Sequence, residues 1–316
     1  MPVKFDENLL IGFNNCDDAA VYKIDDKRSI AFTTDFFTPV VDDALQFGRI
    51  AAANAMSDIY AMGGIPFLAL NIMGFPSGTL PDHIFSDILK GAAEKSIEAG
   101  VVIGGGHSVR DKELKFGQAV IGFVNNDQII DNSKAVPGDY IFLTKPIGTG
   151  VVTTAKKLDG KIKAKTFKQA LEIMQSLNRT ARDIMIENKI RCATDITGFG
   201  LLGHLYEIAS ASNVSIEIDS KEVPFIYDVM NLAEEGFFAG GAYTNHEYLK
   251  NHVAFSKQLS ETVELLLCDP QTSGGIAMFV SEDRLKQVRL SLKESGLSYN
   301  IIGCVSRKMN SDIIVD

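Results

Sequence analysis

Asp17 and Asp18 stand side by side in Asn15-Cys16-Asp17-Asp18-Ala19, at the entrance of the strand-like run Ala20-Val21-Tyr22. Adjacent carboxylates in such a place repel each other and resist ionisation unless they share a cation. Asp35 closes a second apolar run, Ile30-Ala31-Phe32-Thr33-Thr34, and Asp58 interrupts an alanine-rich helix expected over residues 43–62. Asn54 precedes Asp58 by one helical turn, so the two put a polar stripe on an otherwise buried surface, and an unpaired carboxylate there needs a partner. A neighbouring loop or Arg49 could serve, but the nearness of Asp17, Asp18 and Asp35 in sequence favours a metal. Oxygen donors without His or Cys point to Mg²⁺, or else Mn²⁺, which proteins usually hold with a few carboxylates and the phosphates of a substrate. Phosphate is therefore the implied ligand.

Two further segments could receive an anion. The turn expected at Gly104-Gly105-Gly106-His107-Ser108 offers backbone N–H groups at close range, although triple glycines are as often plain turns. Asp195-Ile196-Thr197-Gly198-Phe199-Gly200 leads into a helix, so Thr197 or a glycine amide could hold phosphate at its positive end, or Asp195 could simply bond Thr197 as a cap. Cys268-Asp269-Pro270-Gln271-Thr272-Ser273-Gly274-Gly275 reads as a structural turn before a strand. The Gly104–Ser108 turn is neither a Walker P-loop nor a G-x-G-x-x-G fingerprint.

The elements that must carry these residues alternate in type. A hairpin is expected from strands at 19–24 and 29–34, then the helix at 43–62, stopped by Gly63-Gly64 and Pro66. A strand at 67–74, a helix at 81–99, a short strand at 101–103 and strands at 116–124 and 140–144 follow. The second half suggests one helix over 165–188, lysine-rich at its start, a helix at 201–211, a strand at 276–280, a helix at 282–294 and a strand at 299–305. Strict βαβ order is not kept, which favours an α+β fold over a doubly wound sheet. A boundary between two domains is expected near residue 145, giving 1–145 and 146–316.

The bulk numbers narrow the class. At 316 residues, 46% hydrophobic and 22% charged, the chain can bury one large or two ordinary cores. A net charge of -9 argues against a nucleic-acid or anionic-membrane surface. The four cysteines are dispersed without metal-ligand spacing, and no apolar stretch approaches the roughly 20 residues of a membrane helix. A reduced cytoplasmic protein without a signal peptide is the expectation.

In order, the blocks Asn15-Cys16-Asp17-Asp18-Ala19-Ala20-Val21-Tyr22, Thr33-Thr34-Asp35-Phe36-Phe37, Asn54-Ala55-Met56-Ser57-Asp58-Ile59, Gly105-Gly106-His107-Ser108, the segment from Asp195 to His204, and Asp269-Pro270-Gln271-Thr272-Ser273-Gly274-Gly275 resemble those of the selenophosphate synthetases. The likeness runs from about Phe5 to the carboxyl end. It implies an aminoimidazole ribonucleotide synthetase-like fold of two α+β domains. The amino-terminal domains would pair in a homodimer and hold ATP with Mg²⁺, and selenide, ATP and water would become selenophosphate, AMP and orthophosphate. By position, the resemblance makes Asp18, Asp35, Asp58 and Asp195 metal and phosphate ligands. It makes Asn15, Cys16, Asp17, Gly106, His107 and Ser108, together with Asp35 and Asp58, contacts to the nucleotide, some from the other subunit. Single blocks are shared with aminoimidazole ribonucleotide synthetases, thiamine-phosphate kinases and hydrogenase-maturation dehydratases, and a nucleotide-binding regulatory protein is a further alternative.

One departure bears on activity. The family carries, before its first block, a glycine-rich segment with a reactive cysteine or selenocysteine and a lysine, a segment that would lie upstream of Met1. Trimming, a start misplaced after a selenocysteine codon, or a natural short form would each account for this. Cys16, inside the Asp-Asp block, reads as a small, partly buried residue rather than a substitute. The expectation is a chain that binds Mg-ATP and dimerises but makes little or no selenophosphate by itself.

Overall fold

The computed structural model describes residues 6–12 and 16–316 of the chain. Its first half contains β1 (Leu9–Ile11), β2 (Ala20–Lys23), β3 (Arg28–Phe37), α1 (Ala44–Ala61), β4 (Ile65–Phe75), α2 (Asp82–Ala99), β5 (Val102–Arg110) and β6 (Lys115–Asn125). The strands form one sheet in the order β1-β2-β3-β6-β4-β5, antiparallel except where β4 runs parallel to β5. The expected hairpin is β2 with β3. Along β3 the period of two is plain: Ala31 and Thr33 are buried, whereas Phe32, Thr34 and Phe36 are exposed on the other face.

Helix α1 starts at Asp43, whose carboxylate accepts the Gln46 N–H at 2.8 Å, and stops before Gly63, which turns at φ +79°. It packs backbone to backbone on α2. A Cβ on Gly48 would lie 2.0 Å from the Ile88 carbonyl oxygen, and one on Gly91 would lie 2.0 Å from that of Leu45. The segment expected to be a turn, Gly104-Gly105-Gly106-His107-Ser108, is instead the interior of edge strand β5. A bulge where β5 meets Ala69 and Asn71 of β4 absorbs the glycines without ending the strand.

The second half contains β7 (Tyr140–Leu143), α3 (Thr149–Lys157), α4 (Ala164–Gln175), α5 (Arg179–Glu187), β8 (Ala193–Asp195), α6 (Gly200–Ser212), β9 (Val214–Ile218), α7 (Val229–Glu234) and α8 (Gly240–Leu249). It continues with β10 (Val253–Phe255), α9 (Glu261–Leu267), β11 (Ile276–Val280), α10 (Leu285–Ser295), β12 (Asn300–Arg307) and β13 (Ile313–Val315). The sheet order is β10-β13-β9-β12-β7-β11-β8, mixed in direction. The molecule is α+β, with two sheets rather than a doubly wound one. The single helix expected over 165–188 is two, α4 and α5, broken at 176–178, where the Asn178 side chain turns to the interior and bonds Ser57 and Gly274. Strand β7, on the amino-terminal side of residue 145, pairs with β11 and β12 in the second sheet.

Helix α1 ties the halves together. Its residues Ile50, Ala51, Ala55 and Met56 share one core with Val120 of the first sheet and with Val151, Met174 and Val229 of α3, α4 and α7. The polar positions of α1 that face this junction are thereby presented to β8 and to the loop before β11.

Candidate active site at the junction of the two sheets

Four aspartates arrive at the junction from four elements: Asp18 just before β2, Asp35 from β3, Asp58 from α1 and Asp195 from the end of β8. Three are anchored by different donors: Thr194 Oγ1 donates to Asp18 Oδ1 at 2.8 Å, Thr33 Oγ1 to Asp58 Oδ2, and Asn54 Nδ2 to Asp35 Oδ2, while Ser57 lies beside Asp195 and lowers its carboxyl's pKa. Arg49, the rival partner for Asp58, is engaged with Glu94 at 2.8 Å through Nε.

The electrostatics follow from this crowding. Burial, then repulsion from Asp195 and Asp58, pushes the Asp18 carboxyl well above the usual carboxylate range, and burial with repulsion from Asp195 and Asp35 does the same to Asp58. Asp35 is raised by burial and by Asp195, and Asp195 itself is raised by burial, against the opposing pull of Ser57, His204 and Lys145. Asp195 is thus the common neighbour of the other three. Asp18 Oδ2 and Asp195 Oδ2 are buried with no hydrogen-bond partner, a costly condition for a carboxylate oxygen.

These residues fit a divalent ion by donor chemistry, since all are hard oxygens and two of those oxygens lack a partner. Among the described residues, no three His, Cys, Asp or Glu side chains are grouped closely enough to hold an ion alone. Such an arrangement suits Mg²⁺, which takes one or two carboxylates and completes its shell with water and phosphate oxygens.

The remaining expected contacts fall in two places. Asp17 Oδ1 accepts the Asn132 N–H at 2.8 Å, and Asn132 Nδ2 donates to the Cys16 carbonyl at 3.0 Å, so the loop entering β2 is held by the segment between the sheets. Cys16 is exposed at φ +53°, so the expected partly buried setting is corrected: this left-handed turn carries the side chain outward. Asn15 lies outside the described residues. Gly106, His107 and Ser108 are exposed on β5 and line a cleft of about 340 Å³ with Asn71, Phe85 and Leu89, to which none of the four aspartates contributes. A Cβ on Gly106 would lie 2.2 Å from the Asn71 carbonyl oxygen. One cross-strand row nonetheless links the two places: Asp35 pairs with Gln118, Gln118 with Asn71, and Asn71 with Gly106. Gln118 Nε2 donates to Asn71 Oδ1 at 2.9 Å along that row.

Sequence reasoning missed the donors Thr33, Ser57, Asn178 and Thr194, and Lys145, which is buried and gives its ammonium protons to the carbonyls of Ser176 (2.8 Å) and Ser273 (2.9 Å). Burial pushes the Lys145 ammonium down to about 7, against the pull of Asp195. Thr33 and Ser57 stand inside the blocks Thr33–Phe37 and Asn54–Ile59 without having been given a role; Asn178 and Lys145 carry no local signal. Thr197, a candidate phosphate contact or cap partner, instead approaches His204 Nε2 at 3.1 Å.

Comparison with known proteins identifies the family of the chain. Residues 16–124 match the family profile "AIR synthase related protein, N-terminal domain" and residues 136–316 the corresponding C-terminal domain. The chain is 44% identical, over its whole length and 91% of the relative, to the selenide, water dikinase of Caldanaerobacter subterraneus subsp. tengcongensis. It is 45% identical to that of Carboxydothermus hydrogenoformans, covering 97% of this chain and 88% of the relative. In fold it is similar to thiamine-monophosphate kinase from Stenotrophomonas maltophilia (TM-score 0.72, 18% identity, 98% and 92% of the two chains). It is also similar to the hydrogenase maturation protein HypE in complex with ATP (TM-score 0.68, 21% identity, 88% and 77%). With two AIR synthase related domains and this identity along its full length, the chain belongs to the selenide, water dikinase family.

Proposed function

We propose that this protein uses ATP and water to convert selenide to selenophosphate, with release of AMP and orthophosphate. The observation that carries the reading is the set of four buried, mutually repelling aspartates at the junction of the sheets, in a chain 44% identical to selenide, water dikinases. Mg²⁺, when bound, neutralises the triphosphate and the charge that develops as phosphorus–oxygen bonds break. The residues prepare for this. Thr194 occupies one oxygen of Asp18 and leaves the other bare, Thr33 anchors one oxygen of Asp58, and Asn54 fixes Asp35. The exposed edge of β5 supports nucleotide contacts from Gly106, His107 and Ser108.

A homodimer is part of the proposal. The face of the first sheet away from α1 exposes Tyr22, Phe32, Phe36, Leu70 and Phe123, an apolar surface unusual for a monomer. The placement of β7 in the second sheet supports a domain boundary within 126–139 rather than at 145. The free cysteines of the described residues suit the cytoplasm, and no helix there is long and apolar enough to cross a membrane.

The test is substrate choice. In protein supplied with the family's glycine-rich cysteine–lysine segment, ATP turnover, with products followed by phosphorus NMR, should respond to selenide and yield a phosphorus–selenium species. A response to thiamine monophosphate or to an aminoimidazole precursor in place of selenide would overturn the assignment.

A further inference from the structure

The segment 269–275 supplies no ligand to the four aspartates, yet its backbone reaches two of the residues that orient them. The Ser273 N–H donates to Asn54 Oδ1 at 2.7 Å, with Ser273 in the left-handed region at φ +49°. This bond fixes which way the Asn54 amide faces: its oxygen is taken, so its NH₂ points at Asp35. One residue on, the Gly274 carbonyl accepts from Asn178 Nδ2 at 2.9 Å, and the same amide donates to Ser57 Oγ at 2.8 Å. With Asn178 donating to its oxygen, the Ser57 hydroxyl keeps its proton free to turn toward Asp195, the neighbouring carboxyl whose pKa it lowers. Lys145, donating to the Ser273 carbonyl, holds the segment from the other side.

We infer that Ser273 and Gly274, held by Lys145, form a positioning clamp that sets Asn54 and Ser57 so that only hydrogen-bond donors face Asp35 and Asp195. The clamp rests on the proposed function, because its purpose is to hold both carboxylates aimed while a metal–phosphate group is absent or leaving. A carboxylate that accepts a fixed proton has fewer rotamers to search, and side chains that orient metal ligands in this way typically contribute roughly 10-fold or more to metal affinity. One segment steadies an aspartate from each sheet, so the arrangement also couples the metal site to the seating of one half on the other. Asn178, placed where the chain breaks between α4 and α5, is the joint of the second arm.

The experiment measures Mn²⁺ binding in the presence of ATP by electron paramagnetic resonance, on the whole chain and on Ser57→Ala, Asn178→Ala and Asn188→Ala. Asn188 is a buried asparagine that bonds the Ile184 carbonyl and Ser291 and touches none of the clamp, so its variant reports generic loosening. Ser57→Ala removes a single oxygen and should fold normally, which keeps the test valid if Asn178→Ala does not. Expected is a rise in the Mn²⁺ dissociation constant of roughly 10-fold or more for Ser57→Ala and Asn178→Ala, and no rise for Asn188→Ala despite its lower Tm. Affinities within twofold of the parent in folded Ser57→Ala and Asn178→Ala, or an equal rise in Asn188→Ala, would overturn the clamp alone. Failure of the parent chain to bind Mn²⁺ with ATP would remove the metal reading and the clamp with it.

Discussion

Asp195 is buried, bears an oxygen with no partner, and raises the pKa of all three other aspartates of the site. A residue held there against its own repulsion serves function at the expense of stability. Asp195→Asn should therefore raise the stability of the metal-free protein by about 1–2 kcal/mol in urea unfolding while lowering ATP turnover by two orders of magnitude or more. Asp269 makes a separate prediction about pH. Burial pushes its carboxyl up to about 7, above the ordinary value near 4, so the folded state holds this proton more tightly than the unfolded chain does. Its contribution to stability is full at acid pH and is lost as pH rises from about 4 through about 7. Asp269→Asn, which keeps an acceptor for the Val151 N–H, should flatten the decline in Tm over that window. Asp18, Asp35 and Asp58 were legible in the sequence because acidic residues at strand ends and inside an apolar helix are anomalies, whereas Asp195 entered as a ligand only through the resemblance. Their donors were not: Thr194 meets Asp18 across 176 residues, and nothing local marks such a contact.

At the scale of elements, the position of Asp58 and Asn54 depends on how closely α1 lies on α2. Gly48 and Gly91 meet the opposite backbone with no room for a methyl group. Gly48→Ala should force the helices apart, costing about 2–3 kcal/mol of stability and weakening Mg-ATP binding as α1 shifts, both readable from denaturant and nucleotide titrations. The long, strongly patterned elements, α1, α2, β3, β6 and β11, were readable from periodicity and from their stops. The short ones were not. Strands β8, β10 and β13 are three residues each, too brief for a period, and β8 is buried at every position. β5 was cut short because glycines usually end a strand, whereas here a bulge carries it onward. The break between α4 and α5 has no proline or glycine; tertiary bonds from Asn178 hold it.

For the whole molecule, the account requires an assembly and an ion. The exposed apolar face of the first sheet should pair two chains, so sedimentation should show a dimer, and Phe36→Asp, whose ring is 49% exposed on that face, should give a folded monomer. The ion should change the response to pH. Carboxylates with raised folded values destabilise the protein as pH climbs from about 4 through those values, and a divalent ion relieves that repulsion only once they are ionised. Removal of Mg²⁺ from the Mg-ATP complex with a chelator should therefore lower Tm more at pH 8 than at pH 5.5. The most direct measurement of the central claim, that these aspartates hold a metal–phosphate group, is calorimetric titration of ATP into the parent chain and into Asp58→Asn, with and without Mg²⁺. The account predicts binding to the parent that depends on Mg²⁺ and is weakened at least tenfold by Asp58→Asn. ATP binding of equal strength without Mg²⁺, or undiminished in the variant, would contradict it.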